Sequence, residues 1–141
     1  MKRKRRTEIL VNGSAEVAAA MADEIRERYE VVVVEEPNHG LVMVKVRETA
    51  RNSLFYLGEV LVTECKVRIG NAVGVGIVKG DEPLKAADLA VIDAAYAAEL
   101  SETSAWTARL QSENERLEAE RSAAFADLLR TQVSFETMDT D

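Results

Sequence analysis

The sequence of 141 residues has very few of the residues that build covalent cross-links or metal sites. It contains one cysteine, Cys65, and one histidine, His39. The chain therefore cannot form a disulfide within itself, and it has no Cys/His cluster for a structural metal. This usage is typical of a reducing compartment, so we expect a cytoplasmic protein. With only two prolines and seven glycines there is no long disordered linker, and we expect a single domain over residues 1–141.

Long hydrophobic runs and a basic surface are also missing. No stretch approaches the roughly 20 apolar residues of a membrane span, and the segment after the basic residues 2–6 is too short for the apolar part of a signal peptide. The net charge is −7. An acidic body repels nucleic acid, and a short basic arm binds it only weakly. The sequence therefore predicts no membrane and no nucleic-acid partner.

The N-terminal part of the chain predicts helices. Residues 1–13 form a basic N-terminal arm, for which we favour a short helix over 1–12. Ser14 is typical of a helix N-cap. Apolar residues then recur at helical spacing over about residues 15–29, which indicates one amphipathic helix.

The middle of the chain predicts strands. Residues 31–34 and 41–47 are β-branched and apolar, and the turn-forming sequence at residues 37–40 separates them. We expect two antiparallel strands joined by a tight loop. Residues 54–69 form a third strand that is long for a single element, and residues 72–78 form a fourth.

The C-terminal part predicts two further helices and a tail. Asp81 and Pro83 are typical of the start of a helix over residues 84–100, which is apolar on nearly every side. Such a helix is buried, either in its own domain or under a partner. A helix over residues 104–130 would extend about 40 Å, so part of it should project or lie along another chain. Residues 133–138 alternate apolar and polar side chains, which favours an extended docking tail.

These elements together predict the α+β class. The expected architecture is an antiparallel four-stranded meander sheet packed with helices, followed by a long C-terminal helix and an extended tail. We divide the domain into the basic arm (residues 1–13), an α+β core (14–100) and the long helix with its docking tail (101–141).

The reactive side chains have structural interpretations. His39 belongs to a turn sequence, and Cys65 shares a strand face with Thr63 and Val67, which favours packing over a nucleophilic role. Residues 74–81 contain glycines and a lysine before a helix, but they match neither the P-loop nor the dinucleotide fingerprint. Glycines that admit a neighbouring backbone explain them better. We assign no catalytic, cofactor-binding or metal-binding residue.

Several charged and aromatic residues are candidates for partner contacts. Charges on the long strand form either a solvated sheet face or a polar interface patch. Asp93 interrupts the apolar helix, so it must lie at a surface or find hydrogen-bond donors, either in this chain or in another subunit. The candidates are Glu59, Glu64, Arg68, Asp93, Trp106 and Phe135.

Five stretches of the sequence carry a family resemblance. They are Gly40-Leu-Val-Met-Val, Phe55-Tyr-Leu-Gly-Glu-Val-Leu-Val-Thr-Glu-Cys-Lys-Val-Arg-Ile69, Gly74-Val-Gly, Leu89-Ala-Val-Ile-Asp-Ala94 and Phe135-Glu-Thr-Met138. Together they resemble PhnG, the G subunit of the phosphonate carbon–phosphorus lyase system. The block from Phe55 to Ile69 is the most specific part.

The resemblance implies membership of a hetero-oligomeric core complex with the H, I and J subunits, joined by the L component. In that family the G, H, I and L proteins support displacement of adenine from MgATP by methylphosphonate, giving α-D-ribose 1-methylphosphonate 5-triphosphate. The J subunit carries S-adenosylmethionine and an iron–sulfur cluster, and it later cleaves the carbon–phosphorus bond. The resemblance implies that G is an accessory member that binds no cofactor itself.

Two other functions remain open at this point. A stand-alone domain could bind a small phosphate ligand or act in regulation through residues 74–80 and Lys79. A stand-alone enzyme would have to rely on Cys65 or His39.

Overall fold

The residues whose backbone the structure describes form four helices and three strands. The computed structural model describes the backbone of residues 1–139 and the side chains of residues 1–132. The elements in chain order are α1 (Arg3–Asn12), α2 (Ala15–Arg28), β1 (Val32–Arg47), β2 (Leu54–Ile69), β3 (Ala72–Lys79), α3 (Pro83–Ala97) and α4 (Glu102–Asp139). The mixed α+β class and the antiparallel meander are confirmed, and so is the long C-terminal helix. None of the helices within the described residues is long and apolar enough to cross a membrane.

The chain folds as two compact units. One unit is Ser14–Trp106, which contains the sheet with α2 and α3. The other consists of Met1–Gly13 and the chain from Thr107 onward.

The sheet has three strands in the order β1-β2-β3, so the prediction of four strands was wrong. The sequence at residues 37–40 lies inside β1 and makes no loop. Irregularities between Val33 and Asn38 accommodate the proline, and the Asn38 side chain donates to the carbonyl oxygens of Glu36 (2.9 Å) and Glu64 (3.3 Å). Because β2 is long enough to pair with both apolar segments, they run on as one strand.

One face of the sheet carries the core of the larger unit. Thr63, Cys65 and Val67 are buried on this face of β2, which confirms the packing role predicted for Cys65. On β3, a Cβ added at Gly74 or Gly76 would clash with the backbone of α3. The interpretation of these glycines as sites of close backbone approach is therefore confirmed.

The start of α3 differs from the prediction in one detail. Pro83 lies in the first turn as expected, but the N-cap residue is Glu82 and no side chain at that position caps the helix. The Asp81 carboxylate instead contacts the imidazole of His39, with 2.7 Å between Asp81 Oδ1 and His39 Nε2. The Thr63 hydroxyl takes over the local hydrogen bonding, because it accepts from Glu82 N (3.0 Å) and donates to Gly80 O (2.6 Å).

The first turn of α4 is anchored to the end of α2. The nearly buried carboxylate of Glu102 accepts hydrogen bonds from the Tyr29 hydroxyl (3.0 and 3.1 Å) and from Arg28 Nη1 (3.2 Å). Backbone hydrogen bonding at the helix start, aided by Tyr29 and Arg28, lowers the pKa of Glu102 against the opposing effect of burial. Trp106, one turn further along, donates from Nε1 to Glu24 Oε2 at 3.2 Å.

In the smaller unit, the basic arm is helical as predicted. Arg5 Nη2 donates to Asn114 Oδ1 at 2.8 Å and lies 3.7 Å from Glu118 Oε1, so part of the basic charge of α1 lies against the acidic α4. Among the side chains of this unit that the structure describes, the buried ones are Arg6, Ile9, Leu10, Leu110, Glu113 and Leu117.

The extended docking tail was a wrong prediction. The backbone is helical through Asp139, because no glycine or proline after residue 130 stops the helix, and a six-residue alternation is a weaker signal than helix continuation. No side chain between residues 118 and 132 is buried, and Phe125 and Leu128 are among the exposed apolar residues there.

The contact between β3 and α3 gives a direct test of the core. We expect Gly74→Ala or Gly76→Ala to lower the free energy of unfolding by about 1–3 kcal/mol, because the added methyl forces β3 and α3 apart. Gly58→Ala is the matched control, since no atom lies within 4 Å of the added Cβ. Chemical denaturation of the three variants checks this. If the three variants had equal free energies of unfolding, α3 would not pack directly against Gly74 and Gly76.

Candidate interaction surface

The distal part of the β1–β2 hairpin extends beyond the rest of the sheet. β1 and β2 each have 16 residues, whereas β3 has eight and pairs with β2 only between Val62 and Ile69. We call residues 41–61, which form the two-stranded remainder and its connecting loop, the open hairpin. None of its side chains is buried.

One face of the open hairpin is entirely apolar. Residues directly opposite each other on paired strands share a face of the sheet. The register places Val42 against Val60 and Val46 against Phe55, with Val44 opposite Gly58. This apolar face (Val42, Val44, Val46, Phe55 and Val60) has no charged side chain, and Phe55 is 48% exposed.

The opposite face mixes apolar and charged side chains. We call it the mixed face; it consists of Leu41, Met43, Lys45, Arg47, Leu54, Tyr56, Glu59 and Leu61. Leu41 is 64% exposed. Loss of solvent around the phenol and its hydrogen bond to Glu59 raise the pKa of Tyr56. A register shift leaves Leu57 as an extra residue in β2, and its side chain is 62% exposed.

Exposure on both faces is physically expensive. A two-stranded hairpin alone is marginally stable in water. Full burial of a large aliphatic or aromatic side chain contributes about 1.5–3 kcal/mol relative to exposure, and much of that contribution is unrealised along the open hairpin. Contiguous exposed apolar surface on a folded protein is typical of an interaction site. The arrangement can bind an apolar partner surface.

Three of the predicted contact residues lie on β2, on different faces. Glu64 and Arg68 share the face that carries no helix, and between them Lys66 Nζ lies 3.8 Å from Glu64 Oε1 and 3.5 Å from Glu35 Oε2. Glu59 lies on the mixed face of the open hairpin. The charges on β2 therefore do not form one patch.

Asp93 has a donor within the chain. Its Oδ2 accepts a hydrogen bond from Val75 N at 2.9 Å, on the free edge of β3. The carboxylate thus joins α3 to a backbone group that no strand pairs with, which explains a charged residue in an otherwise apolar helix without invoking a second subunit.

The two aromatic candidates differ in placement. Trp106 is 1% exposed, and its ring centroid lies 5.7 Å from that of Tyr96, so its side chain is part of the core of the larger unit. Phe135 lies in α4, but its side chain is outside the described residues.

The described residues do not assemble a catalytic constellation. They include no group of three or more His, Cys, Asp or Glu side chains that could hold a metal ion. His39 is exposed and contacts Asp81. Burial raises the pKa of the Cys65 thiol; nearby Arg26 opposes this, and Glu35 and Glu36 add to it.

Two of the open clefts in the larger unit lie beside polar or reactive side chains. One of about 780 Å³ lies at the β2–β3 turn, where Tyr29, Arg68 and Asn71 contribute polar groups. The other, of about 390 Å³, lies beside Arg26 and Cys65. Gly74 and Gly76 line neither cleft, because α3 occupies the space in front of them.

Sequence reasoning missed the open hairpin itself. Two signals could have revealed it: the unusual length of the strand over residues 54–69, and the four consecutive apolar residues 54–57, which lack the alternation of a strand with one solvated face. Both indicate a strand that needs cover on two sides.

The chain is thus a small α+β protein whose most distinctive surface is an uncovered apolar hairpin. Residues 1–139 match the family described as phosphonate metabolism protein PhnG, and the chain belongs to that family. Its role therefore lies in phosphonate metabolism. No curated protein matches the chain.

The buried position of Cys65 predicts an unreactive thiol. Because burial raises its pKa, the thiol stays protonated through neutral pH and ionises only above the usual range near 8.5. We expect a disulfide reagent to label the native protein roughly tenfold or more slowly than the unfolded chain at pH 7. The time course of absorbance after addition of Ellman's reagent gives both labelling rates. Fast labelling of the native protein would contradict the buried position of Cys65.

Proposed function

We propose that this chain is an accessory subunit of the carbon–phosphorus lyase core complex in the catabolism of organic phosphonates. In this role it joins the H, I and J subunits, together with the L component. It supports displacement of adenine from MgATP by methylphosphonate, which gives α-D-ribose 1-methylphosphonate 5-triphosphate.

The open hairpin is the observation that carries this proposal. Family membership places the chain in phosphonate metabolism. The apolar face of the open hairpin and the aliphatic residues of its mixed face are both exposed. Obligate interfaces resemble a domain core cut in half, with apolar side chains that each partner leaves exposed when alone. A subunit of a permanent complex fits such a surface better than a protein that acts alone.

The inventory of reactive groups supports an accessory role. Cys65 is buried in the core, and the only histidine contacts Asp81 on the surface. In this proposal the catalytic residues lie on partner subunits. MgATP is bound at the level of the complex, and S-adenosylmethionine and the iron–sulfur cluster belong to the J subunit.

Co-expression tests the proposal. We expect the tagged chain to capture the H, I and J subunits, with native mass spectrometry giving the mass of a hetero-oligomer, and to aggregate or self-associate when produced alone. Val42→Lys should lower capture roughly tenfold or more, because it places an unpaired charge in an apolar interface.

Leu84→Lys is the matched control for that variant. Leu84 is also an exposed apolar residue of the larger unit, but it lies at the start of α3, outside the open hairpin, so capture should be unchanged. A monodisperse, highly stable monomer at micromolar concentration that captures none of these subunits would contradict the proposal. Turnover of a phosphonate or nucleotide by the pure chain would contradict it as well.

A further inference from the structure

β2 has an open backbone edge along the distal half of the hairpin. β3 ends at Lys79, and Gly80, with a φ of 88°, turns the chain away toward α3. The hydrogen bond from Gly80 N to Leu61 O, at 2.8 Å, marks the end of the pairing on this side. In the part of the chain that the structure describes, no strand pairs with this edge before Val62.

The backbone of Glu59 faces this open edge. Alternate residues of a strand direct their N–H and C=O groups to the same side. Leu61 O points toward the side of β3, and the register from Met43–Glu59 to Leu41–Leu61 is regular. The N–H of Glu59 is therefore directed away from β1, toward the space that a further strand would occupy.

The edge and the exposed faces restrict what can cover the open hairpin. A partner that buries the apolar face also removes water from the adjoining edge, and an unsatisfied buried N–H or C=O costs about 1–3 kcal/mol. An added strand pairs with these groups while its side chains extend the two faces. A helix laid on one face would leave the edge unpaired.

Charge indicates the composition of the added strand. Lys79 is exposed at one end of the open edge, and Arg51 is exposed in the loop at the other end, near Arg47. Between them, Glu59 is the only acid on β2 among residues 54–61. Asp81 and Glu82 follow Lys79 closely, so that end carries no net positive charge. The loop end carries Arg47 and Arg51 against Glu48, and it complements a segment with one acidic end.

We propose that a partner subunit adds an extended strand to the open edge of β2, apolar at alternate positions and acidic at the end that meets the loop of the hairpin. This inference rests on the proposed function, in that the strand comes from a subunit of the same complex. It adds the mode of association, which is backbone pairing at β2 in continuation of β3.

Glu59→Pro tests the backbone pairing, with Glu59→Ala as its matched control. Both variants lose the carboxylate, but only proline loses the N–H, and proline is tolerated at strand edges whose N–H is unpaired. The tagged full-length chain is co-expressed with the H, I and J subunits. We expect Glu59→Pro to reduce their capture roughly tenfold or more, and Glu59→Ala to change it by no more than about twofold.

Glu59→Pro could also lower capture by distorting the hairpin. Hydrogen exchange of the wild-type chain tests the pairing without any substitution. In the captured complex the amide of Glu59, which faces the open edge, should exchange roughly tenfold or more slowly than in the free chain, whereas the amide of Val60, which faces β1, should change less. Unchanged exchange, or equal capture by the proline and alanine variants, would overturn strand addition while leaving the proposed function intact. If wild type captures none of the three subunits, the proposed function fails first.

Two further outcomes decide the identity of the added strand. A dimer of this chain that persists when the H, I and J subunits are co-expressed, and that Glu59→Pro abolishes, would show that a second copy occupies the edge, and would overturn the assignment to a partner subunit. Arg51→Glu should lower capture several-fold, roughly as expected for one like-charge contact. Unchanged capture by this variant would overturn the acidic end.

Discussion

The structure depends on a mismatch in length between paired strands. β1 and β2 match each other over 16 residues, but β3 covers only the proximal eight of β2. Where β3 is present, α3 also packs on the sheet and side chains such as Cys65 are buried. Where β3 is missing, two strands continue into solvent with apolar residues on both faces. The same pair of strands therefore supplies the core at one end and the candidate interaction surface at the other.

Small side chains make the proximal end self-sufficient. The backbone of α3 approaches β3 closely because Gly74 and Gly76 have no side chain on that face, and the alanines of the helix keep the contact tight. Asp93 also holds α3 against β3, because its carboxylate accepts a hydrogen bond from Val75 N on the free edge of β3. The free edge of β3 is thus partly satisfied from within the chain, in contrast to the edge of β2 beside Glu59. This difference concentrates the need for a partner on the open hairpin.

The sequence predicted the elements better than their ends. The helical periodicity and the cap at Ser14 gave α2, and the glycine pattern of β3 was correctly interpreted as close packing. Pro37 and its neighbours were misinterpreted as a loop, because local turn chemistry cannot show that a partner strand is long enough to hold them in line. The prediction of an extended tail was wrong because six residues of alternating polarity are a weaker signal than a helix that no glycine or proline interrupts.

The candidate site was harder to predict than the fold. The sequence drew attention to charged residues such as Glu64, whereas the exposed surface consists mainly of aliphatic and aromatic ones. Exposure is a property of what covers a strand, and that depends on where β3 ends. Family membership indicates phosphonate metabolism. An exposed apolar surface such as the open hairpin resembles one half of an obligate interface between subunits.

The central claim is that the open hairpin serves association and contributes little to folding. The most direct test replaces residues 43–59 with the two-residue turn Asn-Gly, so that Val42 and Val60, which already face each other and direct their backbone groups toward one another, flank a tight hairpin. The account predicts that this shortened chain keeps a cooperative unfolding transition, stays monomeric and captures none of the H, I and J subunits. Loss of the fold, or undiminished capture of the subunits, would contradict it.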